Sequence, residues 1–283
     1  MAAGVKSWKK ILYEDQGFPD HYVDASFLDE LRKNLYTRTY DYWTVVIESG
    51  VIVQQLCSVC IFVVVFLFMD MQLLQAETLV SVSGGLCLLG YLVHCLLTSV
   101  GRIQSDRSFA DDLKTFLIFA GFSYCLSPIL VSLTETIATD TIYAMTTVML
   151  IANLLFHDYG TSAPMVSGVL SLNAGLFASV CLASRLQTTL HSFATVTFAV
   201  ELFALWPALR RNLRQAVSCC HVLMTTLVAM VTLLLVSCIS LTATVLLALA
   251  IVFITLLCPA WLIWLQTYKN NIHGPWDEAA IQQ

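Results

Sequence analysis

Apolar residues run along this chain in long blocks broken by short polar stretches. A membrane-crossing helix needs about 20 mostly apolar residues, or ~17 at the short end. Blocks near 45–69, 79–100, 113–133, 141–156, 165–184, 190–207, 217–238 and 240–265 therefore predict eight transmembrane helices. The fourth and sixth are short and the seventh and eighth nearly fused, so seven or nine are the alternative counts. The longest connecting loop is about twelve residues, leaving no room for a soluble domain between spans. The expected fold is an all-α polytopic bundle over 44–265, between tails at 1–43 and 266–283.

Composition agrees. Hydrophobic residues make up 58% of the 283 positions and charged residues 12%, about half the ~25% charge usual in a soluble domain. Where the charges fall matters more than the net of −5. Six Lys and Arg lie in the N-terminal tail, followed by Arg102, Arg107 and Lys114, then Arg210, Arg211 and Arg214, then Lys269. With eight spans and a cytosolic N-terminus, all thirteen fall on the cytosolic side and only Arg185 does not, the asymmetry expected of cytosolic loops. Both termini are thus expected in the cytosol. Lys6, Lys9 and Lys10 are followed by polar residues, so no cleavable signal peptide is expected. In the tail, Asp24 or Ser26 is placed to cap an amphipathic helix with Phe27, Leu28, Leu31 and Leu35 on one face, suited to a membrane surface or to another protein of an assembly.

Within the fifth span Ser167, Ser171, Gly175, Ser179 and Ala183 recur every four residues. Such a stripe lets helices approach closely, a main route to association where lipid supplies no hydrophobic drive between them. Its partner is another span of this chain or another protein. Ionisable groups within spans are functional candidates by default: Glu48, His94 and Glu201, for which interfacial solvation or a bond to another helix is the simpler reading. Gln54, Gln55, Asn153 and Asn173 read as polar contacts between helices. Phe156-His157-Asp158-Tyr159-Gly160 forms a turn in which His157 and Asp158 are a candidate acid/base pair. Arg210, Arg211 and Arg214 lie just beyond Trp206-Pro207 and are candidates for anionic lipid headgroups. Cys57 and Cys60 have metal-site spacing but no second pair, so they read as packing residues. No phosphate loop, D-x-D pair, H-E-x-x-H or G-x-S-x-G occurs. No catalytic residue, metal, cofactor or nucleic-acid partner is expected.

Pro19-Asp20-His21-Tyr22-Val23-Asp24, Gln54-Gln55-Leu56-Cys57-Ser58-Val59-Cys60, Asp158-Tyr159-Gly160, Ser171-Leu172-Asn173 and Phe203-Ala204-Leu205-Trp206-Pro207 stand in collinear order. With the terminal Asn271-Ile272-His273-Gly274-Pro275-Trp276-Asp277 they resemble the PIG-C family, a membrane component of phosphatidylinositol N-acetylglucosaminyltransferase. The resemblance implies a non-catalytic endoplasmic reticulum subunit of the complex that begins glycosylphosphatidylinositol anchor synthesis by transferring N-acetylglucosamine from its UDP conjugate to phosphatidylinositol. Catalysis would lie in a partner with a cytosolic domain, leaving this chain as scaffold and lipid presenter. The alternative is a lipid-handling enzyme or flippase acting alone. Gly274-Pro275 is expected to end the helix leaving the eighth span, with His273, Trp276 and Asp277 as partner-contact candidates beside Phe27, Leu31 and Leu35.

Overall fold

The computed structural model describes residues 39–101, 109–133, 137–160, 167–216 and 218–269, with positions 17, 19, 22, 32, 33, 272 and 273 in the tails. Eight helical rods occupy the described residues: α1 (Tyr42–Asp70), α2 (Ala76–Ser99), α3 (Phe109–Leu133), α4 (Thr139–Phe156), α5 (Ser167–Ala183), α6 (Thr189–Ala216), α7 (Ser218–Ser237) and α8 (Leu241–Gln266). They coincide with the eight predicted blocks. By length and apolarity α1, α2, α4, α6, α7 and α8 each suffice to cross a membrane, while α5 is shorter. The nearly fused seventh and eighth blocks are separated at Ser240, whose hydroxyl accepts from Ala243 N–H at 3.4 Å as an N-cap. Thr188 caps α6 through His191 N–H in the same way.

The chain divides into two compact units, one of residues 43–259 and one of residues 1–42 together with 260–283, which contains both tails. In the tail unit Arg32–Lys33 (β1) pairs antiparallel with Ile272–His273 (β2), Arg32 opposite His273. The predicted amphipathic helix therefore does not run through Arg32 and Lys33. Their backbone groups find partners in the C-terminal segment instead, which a local periodicity argument cannot anticipate. Phe27, Leu31, Leu35, Trp276 and Asp277 lie outside the described residues. The helix of the eighth block stops at Gln266, not at Gly274-Pro275, and a turn over Thr267 and Tyr268 closes it with backbone bonds to Trp264 and Leu265.

Within the helical unit α1 is the most buried rod. One side packs Val59, Phe62, Phe66 and Met69 against Leu150 of α4, Ala178 and Leu182 of α5, and Ala194, Ala199 and Phe203 of α6. Its other side meets Val236 of α7 and Leu247 of α8 through Val64. The rings of Phe62 and Phe203 meet edge to face at 5.4 Å. By contrast α8 is apolar all round and almost wholly exposed, the character of a helix facing lipid.

The sixth block is predicted to end at Trp206-Pro207, yet α6 continues to Ala216. Proline lacks an N–H and its ring clashes with the carbonyl four residues back, here that of Phe203. The chain meets this with a π-helical turn over Glu201–Leu205, in which Trp206 N–H bonds Glu201 O one residue further back than usual. The same device recurs in α8, with a π turn over Phe253–Leu257, Cys258 N–H bonded to Phe253 O, and Pro259 next. Because the rod survives its proline, Arg210, Arg211 and Arg214 are helical residues with fixed directions.

Glycine is required where α5 meets α4 and α6. A Cβ on Gly175 would lie 3.0 Å from the Phe203 ring and 3.1 Å from Asn153 Nδ2. Gly175→Ala is expected to lower stability by about 1–3 kcal/mol, the usual cost of overpacking, read as a lower thermal midpoint in detergent. Gly85→Ala, with nothing within 4 Å of the added methyl, is the control expected to stay near wild type. Equal midpoints for both variants would show that α5 does not need this approach.

Candidate functional site

Two polar assemblies stand out. The first joins three helices. Gln55 on α1 donates its amide to Asn153 Oδ1 on α4 at 2.9 Å. Asn153 Nδ2 donates to the backbone oxygen of Ser171 on α5 at 2.8 Å and to its hydroxyl oxygen at 3.1 Å. The Ser171 hydroxyl donates back to Asn153 O at 2.8 Å. All three side chains are buried. Beside them Gln54 donates to Thr225 Oγ1 on α7 at 2.6 Å. Adjacent glutamines on α1 thus tie it in two directions.

Of the predicted small-residue stripe, Ser171, Gly175, Ser179 and Ala183 are buried. Ser171 bonds Asn153, while the Ser179 hydroxyl returns to Leu176 O. The side chain of Ser167 lies outside the described residues. Asn173 is exposed, because it falls on the face of α5 turned away from Ser171. Glu201, the first residue of the π turn, is half-buried.

The second assembly occupies one end of the unit and is organised by the last turns of α6. Arg210 is 3% exposed and places Nη2 2.8 Å from His157 Nε2, just beyond α4. An arginine only donates, so the histidine nitrogen is the acceptor and its lone pair is occupied. Arg211 Nη1 meets Asp158 Oδ2 at 3.4 Å. Asn212 reaches His94 Nδ1 on α2 at 3.3 Å. Arg214 Nη2 stands 4.0 Å from Glu48 Oε1 on α1. Neighbouring residues on one helix end thus engage α1, α2 and the segment after α4. Tyr159 stacks edge to face on His157 at 5.1 Å and donates its hydroxyl to Leu154 O.

His157 and Asp158 do not pair with each other; each meets a different arginine of α6. Burial, reinforced by the Arg210 charge and opposed by Asp158, pushes His157 down to about 4. Burial also pushes Tyr159 up to about 12. At neutral pH the imidazole is therefore uncharged and its basic nitrogen engaged, a poor starting point for acid/base chemistry. Among the described residues no cluster of His, Cys, Asp and Glu suits a metal ion. Arg211 and Arg214 are the more exposed cations of this end, with side chains 60% and 39% accessible. His221, on the first turns of α7, escapes sequence reasoning because a lone histidine in an apolar run carries no pattern. The adjacent polar pair Gln54-Gln55 is the signal that α1 has polar neighbours.

The His157 arrangement has a consequence for pH. A histidine at about 4 in the folded state, against 6.5 ordinarily, binds more protons when unfolded, so stability rises with pH across that interval and levels off above it. Thermal midpoints in detergent should therefore fall as pH is lowered from 7 to 5, and His157→Gln should flatten that slope. An unchanged slope in the variant would assign the dependence to other groups.

The sequence comparisons agree with one another. A family model described as phosphatidylinositol N-acetylglucosaminyltransferase matches residues 8–277. The C subunit of phosphatidylinositol N-acetylglucosaminyltransferase from Bos taurus is 50% identical over 98% of this chain and 93% of its own length. The putative C subunit from Dictyostelium discoideum is 40% identical over 97% of this chain and 79% of its own. The GPI2 subunit from Schizosaccharomyces pombe is 34% identical over 97% and 86%. No solved structure matches. A match along nearly the whole chain, at identities this high, places this protein in the PIG-C/GPI2 family of phosphatidylinositol N-acetylglucosaminyltransferase subunits.

Proposed function

We propose that this chain is a non-catalytic membrane subunit of the complex that transfers N-acetylglucosamine from UDP-N-acetylglucosamine to phosphatidylinositol, serving as scaffold and lipid presenter. The names of its relatives supply the reaction. The observation that carries the non-catalytic role is the use made of polar groups: Gln55, Asn153 and Ser171 are bonded to one another across helices, and His157 is held neutral with its acceptor nitrogen on Arg210. Polarity of this kind rigidifies a bundle and offers no free acid or base. On this reading the transferase site belongs to a partner protein with a cytosolic domain, and other subunits complete the assembly. The complex resides in the endoplasmic reticulum membrane, both tails of this chain face the cytosol, and so does the arginine-bearing end of α6. The thirteen-to-one placement of basic residues supports that orientation.

The competing reading, a lipid-handling enzyme or flippase acting alone, would draw on Asp158 or Glu201. The purified complex separates the two. A lost general acid or base lowers turnover by about 10²–10⁴-fold. Asp158→Asn and Glu201→Gln are expected to leave activity per assembled complex within about twofold of wild type. Asn153→Leu, in contrast, is expected to lower activity in proportion to the amount of this chain recovered in the complex. An Asp158 or Glu201 variant that assembles normally yet is inactive would overturn the scaffold role. Copurification of the wild-type chain with no transferase would remove the assignment altogether.

A further inference from the structure

Where the first turns of α1, the last turn of α6 and the first turns of α7 meet, Thr44, Ile47, Glu48, Arg214 and His221 line a cavity of about 250 Å³. A hydroxyl, a carboxylate, a guanidinium and an imidazole converge there. His221 Nε2 lies 3.0 Å from Ile47 O. A carbonyl only accepts, so Nε2 carries the proton and Nδ1 of the neutral ring is left as an acceptor. That Nδ1 is buried and has no hydrogen-bond partner among the described residues, in a side chain only 3% exposed. Leaving a buried acceptor unfilled is unfavourable.

The ring is held from behind by a close approach. A Cβ on Gly50 would lie 3.1 Å from His221 Nε2 and 3.0 Å from Thr225 Oγ1. Arg214 and Glu48 form the mouth. Their 4.0 Å separation and partial exposure leave both with spare hydrogen-bonding capacity. Beside them, Trp43 and Ile47 expose apolar surface on the same helix start, 66% and 47% accessible, as at a headgroup boundary.

We propose that this cavity binds the headgroup of an inositol phospholipid. The phosphate diester sits on Arg214, one ring hydroxyl donates to the Glu48 carboxylate, and another supplies the donor that His221 Nδ1 lacks. The carboxylate at the mouth disfavours a bare anion and favours a ligand presenting both a phosphate and hydroxyl donors. Choline offers no donor, and serine brings a second carboxylate against Glu48. The proposal rests on the reading of this chain as a subunit that handles phosphatidylinositol, and it gives that reading a location.

The test takes the full chain, with whatever partner proteins copurify, into nanodiscs holding equal phosphatidylinositol, phosphatidylserine and phosphatidylethanolamine, and measures retained lipid by native mass spectrometry. Phosphatidylinositol is expected to be enriched about tenfold. Arg214→Gln and His221→Phe should return it to the bulk ratio, and His221→Gln, which keeps a donor and an acceptor, should retain enrichment. Glu48→Gln should raise phosphatidylserine relative to phosphatidylinositol. Displacement by soluble glycerophosphoinositol would support recognition of the headgroup; retention that it cannot displace would place recognition on the acyl chains and overturn the site. Equal retention of the three lipids, or enrichment that persists in Arg214→Gln and His221→Phe with unchanged circular dichroism, would also overturn it. Copurifying transferase without lipid enrichment sinks the site and leaves the subunit role standing. Enrichment without copurifying partners does the reverse.

Discussion

The bundle depends on the side chain of Asn153. In lipid the hydrophobic effect does not draw helices together, because a leucine facing a tail is as well solvated as one facing another leucine. What remains is close packing and hydrogen bonding, and Asn153 serves both. Its amide accepts from Gln55 and donates to Ser171, locking α1, α4 and α5 in register. The same amide nitrogen, with the Phe203 ring, crowds position 175, where a Cβ would lie 3.1 Å from the one and 3.0 Å from the other. With glycine there, α5 comes close enough for Phe203 of α6 to fill the gap and reach Phe62 of α1. An apolar replacement at 153 would remove the bonds and the shape that admits α6 together.

The second ordering element is the end of α6, which exists because a proline is absorbed by a π turn. Were the helix to break at Pro207, Arg210, Arg211, Asn212 and Arg214 would sit on a loop whose directions are set by solvent. Continued as helix, four residues within five positions point to separate partners on α1, α2 and the segment after α4. Burying Arg210 is tolerated because a neutral imidazole accepts one of its donors. Among the described residues no carboxylate meets that guanidinium, and its Nη1 remains buried without a partner. The geometry is held with positive charge in excess.

Hydropathy carries the architecture from the sequence with little loss, since lipid imposes one simple rule on each span: enough apolar residues, all backbone groups satisfied internally. The rod near 141–156 is legible despite being short, because polar stretches bound it. The stripe of small residues is legible as well, being a period along one helix. What cannot be read are relations between segments. Asn153 and Asn173 look alike in the sequence, yet one is buried against Ser171 and the other exposed, a matter of which face of α5 meets α4. His157 and Asp158 suggest a pair by adjacency, but chain neighbours at the end of a helix diverge, and α6 supplies a partner for each. Pro207 reads as a boundary because the π turn that accommodates it leaves no signature in hydropathy.

The distribution of satisfied and unsatisfied polar atoms bears on function more directly than any motif. Asn153 and Ser171 exhaust their main capacities on each other. Opening this assembly would dismantle the contacts that hold α1, α4 and α5. Unfilled atoms occur in both assemblies: the amide oxygens of Gln54 and Gln55 stay buried without partners, and at the arginine-bearing end the unfilled atoms of Arg210 and His221 and the loose pair of Arg214 and Glu48 leave donors as well as acceptors over. A scaffold needs the first region rigid and a lipid-presenting surface needs the second incomplete. The two demands can coexist in one bundle, because they fall on different side chains of the same helices.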